Sequence, residues 1–317
     1  MKTFIVAAMV AFGLSLLLCR ILIPLLKRIK AGQNILSYVK EHKGKSGTPT
    51  MGGIAFVLAA FLTAIIFQKT ADRAFILTLV IGLAYMIVGL LDDGLKCLHK
   101  ENLGLKAWQK FVFQGIIAIA AGIYCFRAAL TQINIPFFNA SIELGWWIIP
   151  WTVFTFLATV NAVNLTDGLD GLAAGNSLPF FIAFGEIIYL QQGNDSLVLL
   201  SFCLSGAVGA YLLFNTHPAT IFMGDTGSLA LGGFASCIAC FTGNALYIVV
   251  LGVCFVTSVV SVIVQVVYYK VTKGKRVFLM APIHHHFQQK GYSETKIAYA
   301  YSIFTGLMGL LCIIALL

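Results

Sequence analysis

The chain has 317 residues, 59% of them hydrophobic and only 10% charged, and its formal net charge is +9. That balance excludes a soluble globule of one or two domains, which has nowhere to bury apolar runs of about 18 residues recurring along its whole length. The sequence reads as an all-α polytopic membrane protein, with residues 1–317 forming a single integral membrane domain.

The first run, MKTFIVAAMVAFGLSLLLCRILIPLLK, has too long an apolar core for a cleavable leader, and no small-residue cleavage site follows. Leu18 before Cys19 also argues against lipoprotein processing. It is taken as a retained first span. About ten transmembrane helices are predicted, near 3–26, 51–68, 74–91, 108–127, 146–163, 173–190, 196–214, 228–242, 246–269 and 297–316. Between the fourth and fifth, TQINIPFFNASIELGWW alternates apolar and polar residues around Pro136 and Asn139, which predicts a short external β-hairpin. The eight cysteines are scattered through apolar runs. Cys237 and Cys240 have redox-motif spacing but sit in a hydrophobic helix, where cysteine behaves as a small apolar residue.

Lysine and arginine set the orientation. Loops after odd-numbered spans hold sixteen of them: Lys27, Arg28, Lys30, Lys40, Lys43, Lys45, then Lys96, Lys100, Lys106, Lys110, then Lys270, Lys273, Lys275, Arg276, Lys290 and Lys296. The other side has four, Lys2, Lys69, Arg73 and Arg127. Odd-numbered loops are therefore predicted to be cytoplasmic and both termini external. The excess positive charge is a membrane-face charge that attracts anionic lipid or anionic substrate; nucleic acid is not an expected partner.

The acids are less easily explained. Of seven aspartates, Asp72 and Asp195 fall in short external turns. The other five, Asp92, Asp93, Asp167, Asp170 and Asp225, lie at the cytoplasmic ends of predicted spans in three separate loops. Ionisable residues at such depths are functional candidates. Asp92 and Asp93 end the third span, with Lys96 one turn on and Lys110 beyond. Asp167 and Asp170 are three apart, on one face if helical. Thr226 or Ser228 is placed to cap the eighth helix, whose free amide groups favour a nearby anion. Oxygen ligands from several short loops suit magnesium, and lysines on the same face would hold phosphate charge, which points to phosphoryl transfer.

In the last cytoplasmic loop, His284, His285 and His286 cannot all face one metal from a helix. They are read as hydrogen-bond donors to phosphate or substrate. The loop ending in Lys43-Gly-Lys45-Ser-Gly-Thr-Pro-Thr50 is not a Walker-type loop. It is either a flexible basic segment or a lid that brings Lys45 over a nucleotide or phosphate.

Five motifs, TPTMGG (48–53), LDDGLK (91–96), NLTDGLDGLA (164–173), FNTHPATIFMGDTGSLALGG (214–233) and PIHHHFQQKGYSE (282–294), resemble the phospho-N-acetylmuramoyl-pentapeptide transferase family, in the same order and ten-span layout. The resemblance implies transfer of phospho-N-acetylmuramoyl-pentapeptide from its UDP carrier to undecaprenyl phosphate in the bacterial inner membrane. It further implies that UMP is released, that lipid I is formed for peptidoglycan, that Mg2+ is required and that the assembly is a homodimer. It implies Asp225 as principal magnesium ligand, Asp92 and Asp93 near the lipid phosphate with Asp92 as the better proton acceptor, and Lys96 and Lys110 as phosphate-binding cations. Asp170 would hydrogen-bond uracil and Phe222 would stack on it. Lys45, Thr50, Asn164, Asp167, Asn215, His284 and His285 match other positions used around nucleotide and sugar, with His284 counted among the catalytic set. His286 completes the triplet without a separate role.

Gly94 stands where the family commonly has tyrosine, and Gln288 and Tyr292 where glutamate and tryptophan are usual. Two other readings compete. A sister enzyme would pass N-acetylhexosamine phosphate to a polyprenyl phosphate, sharing the aspartates. An ion-coupled transporter would place its acids near the bilayer midplane rather than at one face. Direct in-line attack and a covalent phospho-enzyme are both open mechanisms.

Overall fold

A computed structural model describes residues 1–29, 47–70, 72–99, 104–138 and 140–317. Its elements are α1 (Lys2–Arg28), α2 (Gly53–Phe67), α3 (Arg73–His99), α4 (Ala107–Arg127), β1 (Gln132–Asn134), β2 (Ser141–Glu143), α5 (Ile148–Thr166), α6 (Leu172–Leu190), α7 (Asp195–Asn215), α8 (Gly224–Phe241), α9 (Tyr247–Leu251), α10 (Val253–Val271), α11 (Ile283–Gln289) and α12 (Glu294–Ile314). Among the described residues, eight helices are long and apolar enough to cross a bilayer: α1, α3, α4, α5, α6, α7, α10 and α12. With the shorter apolar α2, they make this a multi-pass membrane protein. The hairpin is formed as expected: β1 and β2 are antiparallel, with Ile133 opposite Ile142.

The helices pack through small residues, as lipid offers no hydrophobic contrast to drive larger ones together. On α1, Ala7, Ala11, Ser15 and Cys19 recur every four residues and are buried, while Ile5, Met9, Leu17, Ile21 and Leu25 are exposed. The small face lies against α7, where the Ser15 hydroxyl donates to the Ala207 carbonyl at 2.8 Å. The eight cysteines are free, and Cys237 and Cys240 are buried in the core as apolar side chains.

The structure departs from the predicted spans at three places. The third helix runs on to His99, so Asp92, Asp93 and Lys96 are helical rather than terminal. The predicted ninth span divides at Gly252 into α9 and α10. α8 begins at Gly224, four residues ahead of the predicted edge, so Asp225 sits in its first turn. α8 is buried from Thr226 to Phe241, with α2, α3 and α5 packed around it. It falls outside the eight lipid-crossing candidates because a helix enclosed by protein needs small residues more than apolar ones. Its position at the centre of the bundle brings Asp225 to α3.

Candidate active site

The N-terminus of α8 is held by a carboxylate from another helix. Asp93 on α3 accepts from the backbone N–H of Asp225 (3.2 Å), the N–H of Thr226 (2.9 Å) and the Thr226 hydroxyl (2.7 Å). Neither Thr226 nor Ser228 caps the helix, contrary to the sequence-based expectation; the Ser228 hydroxyl instead donates to the Gly224 carbonyl. The first N–H groups of a helix carry partial positive charge, and an anion there satisfies them and the dipole together. Gly224 makes the approach possible: its φ is +70°, and a Cβ would collide with the Asp93 carboxylate.

With α8 fixed in this way, Asp225 meets three partners. Its Oδ1 accepts from Asn164 Nδ2 on α5 at 2.7 Å. Its Oδ2 lies 3.0 Å from Lys96 Nζ and 2.5 Å from Lys110 Nζ. Asp92 Oδ2 faces the same ammonium groups, at 2.6 Å from Lys96 and 3.5 Å from Lys110, and its Oδ1 accepts from the Leu105 N–H at 2.8 Å. Asp92 and Asp93 are almost fully buried, while both lysines keep part of their surface open. Oxygens of Asp92, Asp93 and Asp225 lie within 4.8 Å of one another, close enough to hold one cation. The donor set is all oxygen, which fits a hard divalent ion, and two ammonium groups already gather where that positive charge would go.

A second group of residues lies on the adjoining loops. The α5–α6 connection is a turn and not a helix, so Asp167 and Asp170 do not share a helical face. Asp170 is buried, and its Oδ2 accepts from the Ala219 N–H (3.1 Å) and sits 2.9 Å from His217 Nδ1. Asn215 ties this turn to the loop before α8: its Oδ1 accepts from the Gly171 N–H (3.1 Å) and its Nδ2 donates to the Ile221 carbonyl (3.0 Å). The same loop pairs with the segment leading into α2. The Phe222 N–H donates to the Pro49 carbonyl (2.8 Å) and the Gly52 N–H to the Phe222 carbonyl (2.9 Å), which seats buried Thr50 beside Gly224. Lys45 lies outside the described residues.

Asp167 stands between the two groups. Burial, reinforced by the carboxylates of Asp225, Asp93 and Asp170 and opposed by Lys96, pushes its pKa up to about 8. The folded chain therefore favours the neutral acid, and its stability falls as pH rises from the unfolded carboxylate range toward 8. Asp167→Asn removes that penalty. Thermal unfolding in detergent should show the variant more stable than the unmodified protein by a few degrees at pH 9, with the gap closing toward pH 4. Equal midpoints across that range would contradict the assignment.

The histidine loop closes the site from α11. His284 is fully buried, with its ring tilted against that of His285 at 4.4 Å between centroids, and among the described residues neither ring nitrogen has a hydrogen-bond partner. Burial, with a smaller push from His285, lowers its pKa to about 3, so it stays neutral in the fold. Both rings approach Gly168, where a Cβ would strike His284 Nε2. Gly168→Ala should cut turnover by about 100-fold through displacement of these rings, on the scale of an ångström-sized misplacement. A single-turnover assay with a thermal-shift control checks this; unchanged turnover would show that the turn and the histidines move independently.

The sequence reading gives no part to His217 or Glu294, and gives Thr226 only a capping part and Gln288 only a departure from the usual glutamate. All four lie inside the quoted motifs, and Thr226 meets Asp93 while His217 and Glu294 meet Asp170. Motif membership was the available signal.

Comparison with known proteins identifies the class. The glycosyl transferase family 4 profile matches residues 75–243, more than half of the chain. The phospho-N-acetylmuramoyl-pentapeptide-transferase signature 1 matches residues 45–57. A phospho-N-acetylmuramoyl-pentapeptide-transferase of Clostridium botulinum (strain Eklund 17B / Type B) is 43% identical over 99% of this chain and 97% of its own. The protein of that name from Clostridium novyi (strain NT) is 42% identical over 100% and 98%, and the one from Caldanaerobacter subterraneus subsp. tengcongensis is 42% identical over 96% of each. The chain belongs to the phospho-N-acetylmuramoyl-pentapeptide-transferase family.

Proposed function

We propose that this protein transfers phospho-N-acetylmuramoyl-pentapeptide from UDP to undecaprenyl phosphate, releasing UMP and forming lipid I. The observation that carries the reading is the convergence of Asp92 and Asp225, from different helices, on the same pair of lysines. Carboxylates, exposed-edge ammonium groups and a glycine-rich turn meeting at helix ends suit two phosphate-bearing substrates, one of them delivered from the membrane.

In this reading an oxygen of the lipid phosphate attacks the phosphorus next to the sugar as the bond to UMP breaks. Asp92, already within reach of both lysines, takes any proton from the lipid phosphate. Lys96 and Lys110 offset charge on the phosphates as it develops. Asp225 would hold Mg2+, which when bound would offset charge on the pyrophosphate being cleaved. Asp93 positions Asp225 by anchoring α8. Asp170 and Phe222 take the uracil, and Thr50, Asn164, Asp167, Asn215, His284 and His285, with Lys45, complete the nucleotide and sugar surroundings. The site faces the cytoplasm at the inner membrane, both termini lie outside, the whole chain acts as one membrane domain, and it assembles as a homodimer.

The test is a purified assay with UDP-N-acetylmuramoyl-pentapeptide and undecaprenyl phosphate, following UMP with and without magnesium. Magnesium-dependent release supports the reading. Faster turnover of UDP-N-acetylglucosamine would transfer the protein to the sister activity, and absence of UMP release would end the proposal. Light scattering on the detergent complex reads the assembly state.

A further inference from the structure

The C-terminal end of α10 carries cations that the proposed chemistry leaves unused. Lys270, Lys273, Lys275 and Arg276 are all exposed, and among the described residues none of them forms an ion pair. From Thr226 to Leu317 the sequence has one acid, Glu294, and it is buried. The level of these charges follows from the helix that bears them. α10 is a candidate membrane span that exposes Val260, Ile263, Val266 and Val267, and then Tyr268 and Tyr269. Tyrosines at the end of a span settle at headgroup level, and Lys270 is the next residue.

A topology signal needs such charges but no particular fold, and here the fold is specified. The Gly274 N–H donates to the Tyr269 carbonyl at 2.9 Å and the Lys273 N–H to the Lys270 carbonyl at 3.4 Å, with φ of +54° at Lys273 and +122° at Gly274. This left-handed turn ends α10 and reverses the chain. Gln265, inside α10, then clasps the returning segment with both ends of its amide. Its Oε1 accepts from the Val277 and Phe278 N–H groups at 3.0 Å each, and its Nε2 donates to the Phe278 carbonyl at 3.0 Å. The result is a knuckle in which exposed Val271, Val277 and Leu279 flank the four cations. The Leu279 N–H donates to His286 Nδ1 at 3.1 Å, which gives His286 a part: it joins the knuckle to α11.

We propose that the knuckle from Lys270 to Leu279 docks the phosphate headgroups of anionic phospholipids in the inner leaflet, with Gln265 as the residue that holds it in shape. Charge complementarity selects the occupant: clustered cations just beyond a span attract anionic headgroups. The apolar neighbours select a lipid over a free anion, because acyl carbons cover Val271, Val277 and Leu279 and a soluble phosphate does not. The transferase reading enters only in deciding which leaflet the knuckle meets.

The test uses the whole protein in phosphatidylcholine nanodiscs, with Val277→Trp as reporter and the unmodified protein as background. A minor share of the lipid is brominated near the head of its chain, as phosphatidylglycerol in one set and as phosphatidylcholine in the other. At low salt the anionic lipid should quench the reporter about 5-fold more strongly, and about 0.5 M salt should remove most of that difference. Changing Lys270, Lys273, Lys275 and Arg276 together to Gln should abolish the preference without moving the unfolding midpoint. Gln265→Leu keeps every charge and should lose most of the preference. Equal quenching by the two lipids, quenching by neither, or a preference that survives the four substitutions overturns the docking site. Loss of the signal on adding an equal amount of undecaprenyl phosphate would make the knuckle a carrier-lipid contact and overturn it too. An unchanged preference in Gln265→Leu overturns the clasp. A protein that shows the preference without releasing UMP counts against the transferase reading alone.

Discussion

Asp225→Asn should lower UMP release by about 1,000-fold or more while leaving the bundle folded. The substituted side chain keeps its shape and can still meet Asn164, but it loses the charge that Lys96 and Lys110 now share with Asp92. Lys96 and Lys110 would then keep Asp92, with Asp93 3.8 Å from Lys96, and the proposed divalent-cation site would have one carboxylate fewer, which weakens cation binding. The comparison that decides the matter is turnover across a magnesium titration alongside thermal unfolding. Near-normal turnover would defeat the metal assignment, and a collapse of stability matching the loss of activity would make Asp225 a packing residue.

Asp93→Ala should behave differently, with stability and activity falling together. The change leaves the N–H groups of Asp225 and Thr226 and the Thr226 hydroxyl without their acceptor inside the protein. Leaving buried donors unmet costs about 1–3 kcal/mol each, partly relieved by relaxation, so a loss of about 3 kcal/mol is expected. Asp93→Asn keeps one acceptor oxygen and should recover part of it. Denaturation in mild detergent, read beside single-turnover rates, separates the two possibilities. Full stability with lost activity would make Asp93 a group that acts on substrate directly.

The contrast between these two neighbours marks where sequence reading stops. The membrane class, the hairpin and the grouping of the acids into a few short motifs were legible because long apolar runs, period-two alternation and isolated charges are local signals. That Asp92 and Asp93 take different parts was not. Adjacent residues on a helix point about 100° apart, and which one meets α8 depends on the register of two helices far apart in the chain. The break at Gly252 was invisible because the apolar run continues through it. α8 starts ahead of its apolar pattern because Gly224 and Asp225 read as loop residues until a carboxylate from α3 is supplied to start the helix. Glu294 and His217 carry no signal of their own for a related reason: each has meaning only beside Asp170.

The Asp93 clasp also limits how the protein can adapt. The side chain that starts α8 belongs to the same helix as Asp92 and Lys96, so a shift of α3 along its axis carries Asp225 with it, and the spacing of the acids is preserved. Accommodation of substrates differing in sugar or peptide bulk is thereby left to the turn from Asp167 to Gly171 and the short α11. Substitutions that retune selectivity should accumulate there, while the α3–α8 junction tolerates almost none.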